Sequence, residues 1–198
     1  MAQHVRQSFF FAVIASSIDE AFNDDVQVDA PVETEAATPV EDDAPADAEE
    51  EVASEEGTRE NPLPLGSTIS SDDWEVTLNS VDLNATDAVL AENPLNDGLE
   101  EGNGYLTANV TATYLGDDPE GETPAGVRVE YVSASGNSFD TAASMVIVPE
   151  YFNRSEALYE GASTAGNFGV EVAMKDVENG QILLSPSIFG DGVFFEIQ

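Results

Sequence analysis

The chain has 198 residues, with 40 acidic against 5 basic side chains, a single histidine and no cysteine. That inventory allows one ordinary domain plus a tail, and it excludes disulfide scaffolds, zinc–thiolate sites and thiol nucleophiles. A formal charge of −35 repels nucleic acid and anionic lipid, and Arg6, Arg59, Arg128, Arg154 and Lys175 are scattered singly, so no phosphate-binding patch is expected.

Residues 1–18 place His4 and Arg6 before an apolar stretch from Phe9 to Ile14, followed by Ala15, Ser16 and Ser17. This is the layout of a secretory signal. The stretch is too short to span a bilayer, so no integral membrane span is expected. A packed or disordered amphipathic terminus is the alternative reading of the same residues. Export to a bacterial cell surface or medium is the expectation, and no cysteine follows that could carry a lipid anchor.

Residues 19–57 mix Asp, Glu, Ala, Pro and Thr, with no apolar period and no aromatic side chain after Phe22. Like charges and prolines keep such a segment extended and leave it nothing to bury, which predicts a disordered acidic linker. The remainder is acidic too. From Gly57 onward there are 24 acidic and four basic side chains, a balance of −20. Self-repulsion of that size opposes compaction unless counter-ions screen it, and at molar salt the screening length is about 3 Å. Adaptation to a salty environment is therefore expected.

The stretch NPLPLG opens the third region, residues 58–198, with Pro62 and Pro64 holding an extended edge that leads to a first strand near Thr68. Beyond it the apolar period is two. In WEVTL the series Trp74, Val76 and Leu78 falls on one face, which makes Trp74 a core anchor rather than a sugar platform. YLTANVTATY places Leu106, Ala108, Val110, Ala112 and Tyr114 on one face and Tyr105, Thr107, Asn109, Thr111 and Thr113 on the other. VRVEY, FGVEVAM, QILLS and VFFEI add further strands.

Turn signals separate these runs: Ser135-Gly136-Asn137, Glu178-Asn179-Gly180, which predicts a hairpin after Lys175, and Asp191-Gly192. ATDAVLAEN and NRSEALYEG each predict a short helical turn. Many short strands with Gly, Asn and Asp turns indicate an all-β, immunoglobulin-like antiparallel β-sandwich, since two sheets bury their inner faces on each other.

Catalytic chemistry is scarce. His4 is the only histidine and precedes the domain, so histidine bases and histidine metal sites are excluded there. The pairs Glu100-Glu101 and Asp117-Asp118 carry the two carboxylates a glycosidase needs, yet 40 acids produce such pairs by chance. Asp117, Asp118, Glu120 and Glu122 in GDDPEGETPAG are the best calcium candidates, against the plainer reading of a solvated acidic loop. Three Asn-x-Ser/Thr sequons, at Asn84, Asn109 and Asn153, carry no weight in an Asn- and Thr-rich β protein. No catalytic, cofactor-binding or metal residue is assigned.

In order and spacing, TRENPLPLG, DDWEVTLNSV, GNGYLTANVTATYLGDD, VEYVSASGNSFD and LYEGASTAGNFGVEV resemble a family of bacterial secreted proteins and lipoproteins catalogued as domain of unknown function 4352. In outline the domain is similar to the mycobacterial immunoprotective extracellular antigen. The resemblance spans residues 58–198. It implies an immunoglobulin-like sandwich on an acidic, threonine-containing spacer, and it brings no catalytic residues with it.

The functional expectation is an exported, non-enzymatic module whose loops or sheet face meet an unknown protein or cell-envelope component. An extracellular binder or sensor of a cation or small cationic ligand is the alternative. A carbohydrate-binding or carbohydrate-active sandwich using Tyr105, Tyr151 or Phe152 is the third reading.

Overall fold

The computed structural model describes residues 56–96, 98–175, 177–188 and 190–198, together with the backbone of residues 27–29. The signal-like segment 1–18 lies outside the described residues, as does most of the acidic segment 19–57. Among the described residues nine strands form: β1 (Gln27–Asp29), β2 (Thr68–Ser70), β3 (Trp74–Asp82), β4 (Asn103–Tyr114), β5 (Arg128–Val132), β6 (Ser138–Asp140), β7 (Ser163–Ala173), β8 (Gln181–Ser185) and β9 (Val193–Phe195). They make a five-stranded sheet in the order β1-β2-β3-β4-β7 and a four-stranded sheet in the order β6-β5-β8-β9. Every pairing between named strands is antiparallel.

Alternation dictates which side chains are sandwiched. Val76, Leu78, Val110 and Ala112 from the first sheet and Val129 and Ile182 from the second are fully buried in one core. Each such Val, Leu or Ile side chain contributes about 1.5–3 kcal/mol by leaving water, and the methyl of Ala112 less. Trp74 belongs to the same core, its ring 5.1 Å from that of Tyr114. The central pairs β4–β7 and β5–β8 match strands B–E and C–F of an immunoglobulin-like sandwich, with β3 as A, β6 as C′ and β9 as G.

The proline-rich entrance runs beside the last strand. Leu63 bridges Phe195 in parallel; its N–H donates to Phe194 O and its carbonyl accepts from Glu196 N–H, both at 2.8 Å. Pro62 and Pro64 cannot donate, and the alternation of a strand directs their positions away from that ladder.

Residues 27–29 of the acidic segment 19–57 form β1, with Val28 at the register position of Ile69, and two expectations from the remainder of the chain are corrected. Without β1, β2 would present an edge of unpaired backbone groups, and the sequence from Asp24 to Ala30 is free of proline and able to fill it. The hairpin expected after Lys175 is a crossing between sheets, because β7 and β8 lie in different ones. A one-turn 3-10 helix, Val177–Asn179, makes the corner, and Tyr131 Oη donates to Val177 O at 3.0 Å to hold it. NRSEALYEG forms no helix: Leu158 exchanges both backbone hydrogen bonds with Glu122, and Asn153 Oδ1 accepts from Ser155 N–H, so the groups a helix needs are already engaged. The other helical expectation holds as α1 (Thr86–Glu92).

Candidate interaction surface

The outer face of the five-stranded sheet divides into a covered half and an open half. Tyr105 points outward, as the period requires, but it is buried beneath α1 together with Ala85, Val89 and Val148. Tyr105 Oη donates to Asn96 O at 2.6 Å, and Tyr105 N–H donates to Thr86 Oγ1 at 2.9 Å. An exposed role for Tyr105 is thereby overturned: one short helix roofs it. Phe152 is likewise removed from the surface, fully buried and stacked on Phe168 at 4.7 Å between ring centres. Of the three aromatic candidates, Tyr151 alone is exposed, at 54 %.

Residues 141–162 carry the chain from β6 in one sheet to β7 in the other. Val148 packs on the outer face above Gly169, where an added Cβ would stand only 2.2 Å from Val148 Cγ1. Further along, Glu150 adopts φ 49°, a conformation few non-glycine residues take. Its carbonyl accepts from Asn167 N–H, and Phe152 N–H donates to Asn167 O. This parallel bridge on the outer edge of β7 sets Phe152 inward and Tyr151 outward.

Alternation along the same segment leaves Met145 91 % and Ile147 49 % exposed while Val148 is buried. Leu95, 84 % exposed, joins them through its neighbour. The Asn96 side chain donates to Ile147 O at 2.6 Å and to Val89 O at 2.8 Å, and accepts from Ile147 N–H at 3.1 Å. Leu95 and Met145 line an open hollow of about 490 Å³ with Asp140 and Glu171. Met145, Ile147 and Tyr151 line a second hollow of about 240 Å³ beside it. The signal for this rim was present in SMVIVPEYF, whose four consecutive apolar residues, Met145 to Val148, are more than one buried face can take.

The open half of the outer face is a polar grid. Thr68, Thr77 and Thr111 are aligned across β2, β3 and β4, and the hydroxyls of Thr68 and Thr77 are 2.8 Å apart. The next row begins at a β-bulge that places Asn79 outside the regular ladder. Asn79 Nδ2 donates to Asn109 Oδ1 and to Thr111 Oγ1, both at 2.9 Å. Asn109 Nδ2 donates to Asn167 Oδ1 at 2.7 Å, and Asn167 Nδ2 to Pro149 O at 2.8 Å. Tyr151 stands beside this row, lining a hollow of about 330 Å³ with Asn109, Glu150, Ala165 and Gly166.

The acidic loop does not gather its carboxylates. Asp118 Oδ1 accepts from Glu120 N–H at 2.8 Å, and among the described residues no three His, Asp or Glu side chains converge as metal ligands. Glu122 has a raised pKa because burial disfavours its charge, with Asp73 and Asp118 adding repulsion. The Tyr114 hydroxyl is raised for the same first reason, partly offset by a hydrogen bond with the backbone of Asp118. Glu100, Glu101, Asp117 and Asp118 are all exposed. The guanidinium groups serve as struts: Arg59 donates to Ser133 O and Ala134 O, and Arg154 donates to Ala125 O and Val127 O. Arg128 pairs with Glu130 at 2.7 Å. Among the described residues no helix is long and apolar enough to cross a membrane.

No protein-family model matches the chain, and no curated protein matches it significantly. Two solved structures are similar in part. An uncharacterized beta-sandwich protein from Clostridium difficile 630 has 12 % identity and a TM-score of 0.42, covering 70 % of this chain and 95 % of its own. A conserved hypothetical protein from Bacillus anthracis has 10 % identity and a TM-score of 0.42, covering 66 % of this chain and 93 % of its own.

Proposed function

We propose that this protein is an exported, non-enzymatic recognition module of the kind catalogued as domain of unknown function 4352, held off the cell envelope by its acidic N-terminal segment and docking a protein partner there. The observation that carries the reading is the apolar rim: Leu95 and Met145 stand 84 % and 91 % exposed on a framework whose neighbouring residues are clamped. Asp140 and Glu171 share its hollow, so the fitting partner presents an apolar anchor with basic residues around it. The only histidine at position 4 and the absence of cysteine support a binding role over a catalytic one.

The test is co-sedimentation of the full chain with envelopes isolated from the producing cells, alongside fractionation of those cells. Wild type is expected in the pellet and the Leu95→Asp, Met145→Asp double variant in the supernatant. Binding is expected to disappear when the envelopes are first treated with protease. Equal partition of variant and wild type, or residence of the native protein in the cytosol alone, overturns the proposal.

A further inference from the structure

We infer that the open half of the outer sheet face, bounded by Tyr151, is a second binding site, and that its ligand is a neutral, hydroxyl-rich glycan chain. Three features combine to give this chemistry. First, the two rows nearest Tyr151, Thr68–Thr77–Thr111 and Asn79–Asn109–Asn167, hold no charged side chain between β2 and β7, although the region from Gly57 onward carries −20. Glu150 beside Tyr151 and Glu75 in the adjoining row border these two rows with negative charge, so anionic polymers are repelled while the rows themselves offer only hydroxyls and amides.

Second, the amides are oriented before any ligand arrives. Asn79, Asn109 and Asn167 are linked side chain to side chain and anchored at Pro149 O. Among the described residues no hydrogen bond engages Asn79 Oδ1 or the second N–H of Asn109, so the row keeps one acceptor and one donor for a ligand. A sugar hydroxyl, which both donates and accepts, matches that pairing, and the preset geometry lowers the ordering cost of binding.

Third, Tyr151 places a half-exposed aromatic ring at the end of the amide row, where it lines a hollow with Asn109, Glu150, Ala165 and Gly166. A ring with an apolar body and a polar tip suits a ligand that presents C–H groups on one face and hydroxyls at its rim. Such a face lies on paired strands rather than on a sheet edge, so it does not invite strand addition.

The experiment is affinity electrophoresis of the full chain through gels containing laminarin, hydroxyethylcellulose, glucomannan or xylan, with alginate as the anionic comparison. At least one neutral polymer is expected to retard the protein. Tyr151→Ala is expected to weaken that retardation at least tenfold, Tyr151→Trp to retain it, and Asn79→Ala to weaken it. The Leu95→Asp, Met145→Asp variant is expected to be retarded as wild type, which separates this site from the apolar rim. Unchanged melting temperatures certify that the variants are folded. Retardation by none of the four neutral polymers, equal retardation of Tyr151→Ala and wild type, or equal retardation by alginate overturns the inference.

Discussion

Gly166 lies directly under Phe152: a Cβ built on the glycine would stand 2.6 Å from both the Cα and the backbone nitrogen of Phe152. Backbone cannot yield as a flexible side chain can, so the parallel bridge between residues 150–152 and β7 exists because position 166 has no side chain. Gly166→Ala is expected to lower stability by about 1–3 kcal/mol, the usual range for overpacking. Urea denaturation monitored through Trp74 measures it, and an unaltered midpoint would refute the close approach.

Neighbouring aromatics at 151 and 152 should respond oppositely to the same truncation. Phe152→Ala removes a buried ring stacked on Phe168 and is expected to cost about 3–5 kcal/mol. Tyr151→Ala removes a half-exposed ring and should stay within about 0.5 kcal/mol of wild type. Thermal melts of the two variants side by side settle this, and similar losses would mean that the inward and outward assignments are wrong.

Glu122 makes stability depend on pH in an unusual direction. Its folded pKa is raised, first by burial and then by Asp73 and Asp118, so the folded state holds its proton to higher pH than the unfolded chain does. Between the ordinary glutamate value of the unfolded chain and the raised folded value, stability therefore rises as pH falls through this group. Glu122→Gln removes the contribution. The variant should be more stable than wild type above that window, and the difference should shrink as the medium is acidified through it. A difference constant across pH would rule out this account.

Net charge gives a fourth expectation. With −20 from Gly57 onward and three arginines occupied in holding loops or pairing locally, little basic charge remains to offset the acids. Melting temperature should climb with sodium chloride from millimolar to molar concentration as the screening length falls to about 3 Å. Indifference to salt would remove the argument for adaptation to brine.

Strand positions were legible in the sequence because period-two alternation survives wherever one face is buried, as in Trp74, Val76 and Leu78. Partition between sheets was not. Residues 177–180 have the composition of a hairpin turn and yet form a corner, since local sequence specifies a reversal without specifying whether the next strand pairs or crosses over. Tyr105 was placed on the correct face, but its roof comes from α1, some fifteen residues earlier in the chain, which no local pattern reveals. Met145 and Ile147 alternate in exposure with Val146 and Val148, but all four are apolar, so the sequence does not mark which of them face outward.

The entrance segment runs parallel to β9, fastened by Leu63 N–H to Phe194 O, Phe194 N–H to Gly57 O and Glu196 N–H to Leu63 O, each at 2.8 Å. Tension applied between Gly57 and Gln198 therefore strains these three bonds together in shear instead of peeling them one after another. A module tethered through that entrance would withstand drag before its core was disturbed.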